Sequence, residues 1–204
     1  GNFFSNIWPI SFFSFEDLRL FFSLVLIAIS CIIMGAGIPT TATYIILVAV
    51  AAPALAQLGI EPLVAHFFVF YYGVLADITP PVALAAYAAS GIAKSNPFKT
   101  GNTAFRLGIA KALVPFVFVY SPSLLLITGE FQTNQLIITL IGTLIGIALI
   151  GIAFSGYWFR PLKNYEQIII GIGSLFFVAP GIGSMVFGLL IILPMLFLQF
   201  LKKN

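Results

Sequence analysis

Charge is what this chain of 204 residues has least of: 7% of it is Asp, Glu, Lys or Arg, nine basic and six acidic residues in all. Soluble globular domains carry roughly a quarter, so a soluble domain is excluded, and the mean hydropathy of +1.13 agrees. Cysteine is nearly absent too. Cys31 is the only one and sits inside an apolar run, which leaves no disulfide framework and no cysteine metal cluster; it reads as a small buried hydrophobe. The single histidine, His66, has no Cys or acid at metal-ligand spacing and reads as packed or interfacial. A net charge of +3 on so apolar a chain points to loop charges that orient membrane helices, not to nucleic acid. The opening aromatic stretch to Phe15 lacks the basic n-region and small-residue cleavage pattern of a signal peptide. The expectation is a later part of a longer polypeptide.

What the chain does have is long runs free of charge: Leu20 to Ile60, Phe131 to Phe159 and Gln167 to Leu201. About 20 apolar residues of helix cross a bilayer, so some of these runs are long enough to turn back. A β-barrel would alternate polar and apolar residues, whereas these runs, with much of the chain's 22 Phe, are apolar on every face; helices remain. Basic residues cluster at Lys94, Lys99, Arg106 and Lys111, at Arg160 and Lys163, and at Lys202 and Lys203, and all three clusters are expected on the cytoplasmic side. Between the first two, crossings are predicted at Ala112 to Thr128 and Asn134 to Phe154, joined by a turn carrying Glu130. The last run should fold as a hairpin about Pro180 to Gly183. Glu61, Glu130 and Glu166 fall in predicted loops and are expected to be solvated, while Trp8, Tyr157 and Trp158 read as interfacial anchors. This divides the chain into an interfacial segment (1–17), a hairpin and broken-helix unit (18–111) and C-terminal membrane helices including a hairpin (112–204).

Two places break a helix at membrane depth. In Gly35-Ala36-Gly37-Ile38-Pro39-Thr40-Thr41, two glycines permit unusual backbone angles and Pro39 cannot continue a helix from its preceding turn. An opened backbone in hydrocarbon needs protein or a wet cavity around it, so carbonyls and the hydroxyls of Thr40, Thr41 and Thr43 should face inward. Sodium suits such neutral oxygens; a surface turn or a packing kink is the alternative. The flanks, Leu18 to Ala56, fit two crossings or a re-entrant hairpin, and hydropathy does not choose. The second break lies within Pro62 to Ala93, at Tyr72-Gly73-Val74-Leu75-Ala76-Asp77-Ile78-Thr79-Pro80-Pro81-Val82. The double proline frees carbonyls one turn earlier, and Asp77 is the one acid within a predicted span, where an ionisable group usually faces a pathway. The alternative is a cap for a half-helix starting at Pro80. Two broken helices in one compact unit are the pattern of ion and substrate sites in secondary transporters.

The string Met34 to Ile45 (Met-Gly-Ala-Gly-Ile-Pro-Thr-Thr-Ala-Thr-Tyr-Ile), with Ala76 to Ala85 (Ala-Asp-Ile-Thr-Pro-Pro-Val-Ala-Leu-Ala) and Ala88 to Ala93 (Ala-Ala-Ser-Gly-Ile-Ala), resembles the large membrane subunit of tripartite ATP-independent periplasmic (TRAP) transporters. More narrowly, it resembles the C-terminal part of the fused permease that works with a TAXI-class binding protein. The resemblance covers about Phe15 to Leu125. It implies an all-α polytopic protein in the cytoplasmic (inner) membrane of a bacterium or archaeon, with a re-entrant hairpin facing a discontinuous helix, one half of an inverted repeat whose N-terminal half lies elsewhere. By the same resemblance the two breaks form a sodium site, with oxygens of Gly35, Ile38, Thr40, Ala76, Thr79 and Val82 as donors, mostly main-chain carbonyls. Gly37, Pro39, Thr41, Asp77, Pro80 and Pro81 would then lie on the substrate side. The implied activity is sodium-coupled, elevator-type import of a small organic anion delivered by the periplasmic protein, with sodium as coupling ion, no other cofactor and no enzymatic step. Two other classes compete. An intramembrane hydrolase would need a second buried acid or a serine nucleophile motif, and a membrane scaffold would use both breaks only as packing kinks.

Overall fold

The computed structural model describes residues 15–126, 133–179 and 181–201; Trp8, Glu130, Pro180, Lys202 and Lys203 lie outside them. Among the described residues the fold is all helical: α1 (Phe15–Gly35), α2 (Thr40–Gln57), α3 (Pro62–Ala76), α4 (Leu84–Ile92), α5 (Pro97–Gly108), α6 (Val114–Tyr120), α7 (Thr133–Ser155), α8 (Asn164–Val178) and α9 (Ile182–Leu201). Local chemistry fixes several ends. Pro62 and Pro97 occupy first helical positions, where the missing N–H costs nothing, and the Asn96 side chain accepts the Lys99 amide at 3.1 Å as a cap. Gly59, with φ +79°, turns the chain between α2 and α3.

The first core forms where α1, α2 and α3 meet. Leu24, Ala28 and Cys31, then Leu47, Ala51 and Leu55, then Ala65, Phe68, Val69, Tyr72 and Leu75 are buried together, each set at three- and four-residue spacing that marks one helix face. Cys31 is the small buried hydrophobe expected of it. α6 lies antiparallel on α3: Phe116 packs on Phe68 at 5.8 Å and Phe118 on Phe67 at 5.7 Å, and the Tyr72 hydroxyl donates to the Ala112 carbonyl at 2.6 Å. The second body, α7 to α9, is packed through glycine. A Cβ added at Gly146 would stand 2.6 Å from Val178 Cγ2, and one at Gly188 would stand 2.9 Å from the Gly173 carbonyl, the close approach by which apolar helices associate in lipid. The predicted hairpin of the last run is therefore present as α8 and α9.

Outward faces are apolar, the reverse of a soluble protein: Leu26, Ile45, Leu144 and Phe197 are all at least 60% exposed. Among the described residues, five helical runs are long and apolar enough to cross a membrane, Leu18–Gly35, Thr40–Gln57, Pro97–Tyr120, Thr133–Ser155 and Ile182–Phe200. The chain is an all-α, multi-pass membrane protein.

Two expectations need correction. The crossing predicted at Ala112 to Thr128 begins earlier and stops sooner, because Asn96 and Pro97 start a helical run that continues through a 3-10 turn to Tyr120. Ser121 (φ −144°) precedes Pro122, and the residue before a proline is driven out of the helical region. The run passes through Lys111 and Ala112, where a unit boundary was expected. Glu166, expected to be solvated, is 1% exposed. Its carboxylate accepts from Arg160 Nη2 at 2.6 Å, the Lys163 amide at 2.8 Å and Gln199 Nε2 at 3.2 Å, which joins the start of α8 to the end of α9. Arg106 Nη2 donates to the Phe154 carbonyl at 3.0 Å. The first two basic clusters thus share one end of the molecule, as a common cytoplasmic side requires.

Candidate functional site at two helix breaks

The first break is the tip of the α1–α2 hairpin. Ala36 to Pro39 lies between the helices, and Gly37 takes φ +81°, a left-handed conformation that glycine adopts without a Cβ penalty. Pro39 sits just before α2 with extended ψ 140°, and its carbonyl accepts the Thr43 amide at 2.9 Å. The Thr43 hydroxyl donates to the Ile38 carbonyl at 3.0 Å, and the Ile38 amide donates to the Gly35 carbonyl at 3.4 Å. Of the three threonines expected to face inward, Thr43 is buried, whereas Thr40 and Thr41 are exposed in the first turn of α2. Thr43 is one turn before buried Leu47 and is enclosed by Gly35 and Gly73, whose added Cβ atoms would stand 2.9 and 3.2 Å from its Cγ2; Thr41 points off that face, and Thr40, on it by spacing, is left uncovered at the start of the helix.

The second break separates α3 from α4. The amides of Asp77, Ile78 and Thr79 donate to the carbonyls of Val74, Leu75 and Ala76 at 3.3, 3.2 and 3.1 Å, a tightening of the last turn into i to i+3 geometry. The Thr79 hydroxyl donates to the Leu75 carbonyl at 2.7 Å. The Pro80–Pro81 peptide is cis and Ala83 has φ +27°. The next half-helix starts at Leu84, not at the expected Pro80, since Thr79 and Pro80 each precede a proline and are kept out of the helical region. Tyr87 steadies the turn by donating its hydroxyl to the Pro81 carbonyl at 2.6 Å. Asp77, Thr79, Pro80 and Val82 are half-buried and Pro81 is exposed. Among the described residues the Asp77 carboxylate has neither an ion pair nor a hydrogen-bond partner.

The two breaks meet. A Cβ added at Gly35 would stand 2.9 Å from Thr43 Cγ2, 3.1 Å from Ala76 Cβ and 3.5 Å from the Gly73 carbonyl, and one at Gly37 would stand 3.2 Å from Val82 Cγ1. The hairpin tip therefore backs onto the last turn of α3 and onto the residue after the double proline. Gly35, Ile38 and Ala76 each have a carbonyl that already accepts one bond, which leaves a second lone pair. No hydrogen bond among the described residues reaches the carbonyls of Gly37, Pro80 or Val82. The result is a seam of neutral oxygens beside one carboxylate, with the amino ends of α2 and α4, which carry partial positive charge, opening next to it. No group of three His, Cys, Asp or Glu is gathered among the described residues, so the seam offers hard oxygen donors and not a transition-metal set.

Sequence reasoning placed Gly73 within the second break but gave it no role; an added Cβ there would stand 3.2 Å from Thr43 Cγ2, and a lone glycine after the aromatic run Phe70-Tyr71-Tyr72 was the available signal. It also passed over Tyr87, whose role depends on a turn that no periodicity reveals. His66, read as packed or interfacial, has its Nδ1 2.7 Å from the Tyr44 hydroxyl, in an open groove of α2 and α3 that Phe67 and Phe70 also line.

A protein-family profile described as "Tripartite ATP-independent periplasmic transporter, DctM component" matches residues 13–133, a stretch that holds both breaks and all of α1 to α6. Comparisons with curated proteins and with solved structures return no match. The profile spans more than half of the chain, and by it the chain belongs to the DctM component family of tripartite ATP-independent periplasmic transporters.

Proposed function

We propose that the chain is part of a sodium-coupled TRAP permease, which imports a small organic anion, a carboxylate, handed over by a periplasmic substrate-binding protein of the TAXI type. The observation that carries this reading is the contact between the two breaks, Gly35 on Ala76 and Gly37 on Val82. A sodium ion in the seam draws on the carbonyls of Gly35, Ile38, Ala76 and Val82 and on the oxygens of Thr40 and Thr79. The unpaired Asp77 supplies the negative charge that offsets a cation. The anion is served by the amino ends of α2 and α4, close to Gly37, Pro39, Thr41, Pro80 and Pro81, where helix dipoles favour negative charge. A second, inverted hairpin and broken helix, the N-terminal half of the permease, completes the wall of the substrate site. The transport unit moves as an elevator in the cytoplasmic (inner) membrane of a bacterium or archaeon, and no bond of the substrate is made or broken.

The test is the melting temperature of the complete permease in detergent, with sodium titrated against potassium at fixed ionic strength, for the parent and for Thr79→Val. A ligand that binds only the folded protein raises its stability by mass action. A sodium-specific rise that Thr79→Val weakens is expected. Thr79→Val also removes the bond to the Leu75 carbonyl, and the potassium series measures that loss by itself. Equal sodium and potassium curves for the parent would sink the sodium site and leave the breaks as packing kinks of a scaffold.

A further inference from the structure

α4 and α5 form a short hairpin at the basic end of the molecule, with Gly101 of α5 against the side chains of Tyr87 and Ala83. Arg106, further along α5, reaches the Phe154 carbonyl in the last turn of α7, beside the aromatic pair Trp158 and Phe159, stacked at 5.6 Å. That level is the rim of the apolar layer, where such aromatics gather. The hairpin tip lies a further two turns or more of helix from Arg106, roughly 14 Å at 1.5 Å per residue, so it stands at or beyond the rim.

The tip is not a plain polar loop. Ile92, Phe98 and Leu107 are 88%, 66% and 64% exposed, interleaved with exposed Lys94 and Lys99, and the sequence holds no acid from Ile78 to Gly129. Between them a notch of about 450 Å³ is lined by Ser95, Asn96, Lys99, Thr100, Thr103 and Leu107, among other residues. These residues share one face of α5 and the turn before it; the Ser95, Thr100 and Thr103 hydroxyls already donate to Thr100, the Asn96 carbonyl and the Lys99 carbonyl, so the Lys99 ammonium is the group that can meet an anion and Leu107 is the apolar one. Cations that can meet a phosphate, flanked by bare apolar side chains, match a lipid headgroup with its acyl chains below, and the absence of acid matches a negative surface.

We propose that the outer half of α5 runs obliquely along the membrane surface, so that the α4–α5 tip docks on anionic lipid, with phosphate against Lys99 at the notch and neighbouring Lys94 and with Ile92 and Phe98 reaching the upper acyl chains. The tip then holds the end of the broken helix in register with the membrane surface. The inference needs only the membrane location, not the sodium reading.

The test follows the melting midpoint of the purified chain in neutral detergent as phosphatidylglycerol or phosphatidylcholine is titrated into the micelles. Phosphatidylglycerol, and not phosphatidylcholine, is expected to raise the midpoint, and added salt should weaken that rise. In Lys94→Gln/Lys99→Gln the phosphatidylglycerol fraction giving half the rise should increase about 25-fold, at about fivefold per lysine near an anionic surface. Phe98→Ser should weaken the rise as well, which headgroup charge alone would not explain. Equal responses to the two lipids, a rise indifferent to salt, or a double variant that responds like the parent overturns the proposal. So does an equal rise from inorganic phosphate, which would assign the notch to a free anion. Should the double variant fail to fold, the lipid and salt titrations of the parent decide alone.

Discussion

Adding one methyl group at Gly35 tests the contact on which the functional reading rests. The new Cβ would stand 2.9 Å from Thr43 Cγ2 and 3.1 Å from Ala76 Cβ, where carbon atoms settle at about 3.5–4.0 Å. Neither neighbour can yield easily: Ala76 has no rotamer to change, and Thr43 is buried with its hydroxyl committed to the Ile38 carbonyl. Overpacking of this kind costs about 1–3 kcal/mol, while alanine at a helical position returns up to about 1 kcal/mol relative to glycine. The net is a loss of up to about 2 kcal/mol, or up to about 8 °C in melting midpoint for a domain of this size. Gly91→Ala on α4 is the control, since an added Cβ there meets nothing within 4 Å and should gain about 0.5–1 kcal/mol. The assay is thermal melting of both variants and the parent in one detergent, in potassium. A Gly35→Ala protein that melts above the parent, as Gly91→Ala should, would refute the apposition of tip and α3, whatever ion the site binds.

Gly37→Ala should lose stability for a different reason, since its φ of +81° costs an L-residue about 1–2 kcal/mol; the same melts measure it. Gly188→Val should fail to form the α8–α9 hairpin, because its Cβ would press on the Gly173 carbonyl at 2.9 Å, whereas Gly183→Ala, with open space around it, should melt like the parent or higher. Burial alone would raise the pKa of Glu166, yet the Arg160 guanidinium and the Lys163 amide outweigh it and hold the carboxyl below its usual 4.5. A depressed carboxylate stabilises the fold fully above that usual value and ceases to do so as pH falls through the lowered one, so the midpoint should be flat above about pH 5 and drop below pH 4.5, and Glu166→Gln should flatten that drop. Glu166→Ala strands Arg160 and Gln199 and should cost about 3 kcal/mol at neutral pH, the low end for halving a buried pair because Arg160 keeps some solvent contact.

The membrane class, the α8–α9 hairpin and the positions of both breaks were legible in the sequence, because proline, glycine and missing charge act locally. What was not legible depended on partners distant in sequence. Glu166 looked like a loop acid because its neighbours Lys163 and Tyr165 are polar; only the return of α9 brings Gln199 over it and buries it. The start of α5 was hidden because Lys99, Arg106 and Lys111 read as a loop, whereas Asn96 and Pro97 cap a helix whose glycines at 101 and 108 pack on Tyr87 and Ile78. Thr43 is the hydroxyl that turns inward, and helical spacing alone does not separate it from Thr40; what buries it is the approach of Gly35 and Gly73, which is a tertiary contact.

The bonding at the seam bears on coupling. Every hydrogen bond of the tip stays within the tip, from Thr43 to Ile38 and Pro39 and from Ile38 to Gly35. Every bond of the second break likewise stays within α3, its turn and α4, from Thr79 to Leu75 and from Ala85 to Asp77. Among the described residues, then, the tip is held against the break by apolar contact alone, through side chains as small as Ala76 and Val82. With no shared polar bond, the tip and the break can part without leaving a hydrogen bond between them unmade, so only the non-directional apolar contact opposes it. A ligand shifts such an equilibrium only by its difference in affinity for the two states, and equal affinity shifts nothing. On the proposed reading that difference follows from where the donors stand. A sodium ion using oxygens from Gly35 and Ile38 on one side and from Ala76 and Val82 on the other loses half of them when the tip lifts, so the ion favours the closed tip without any further device.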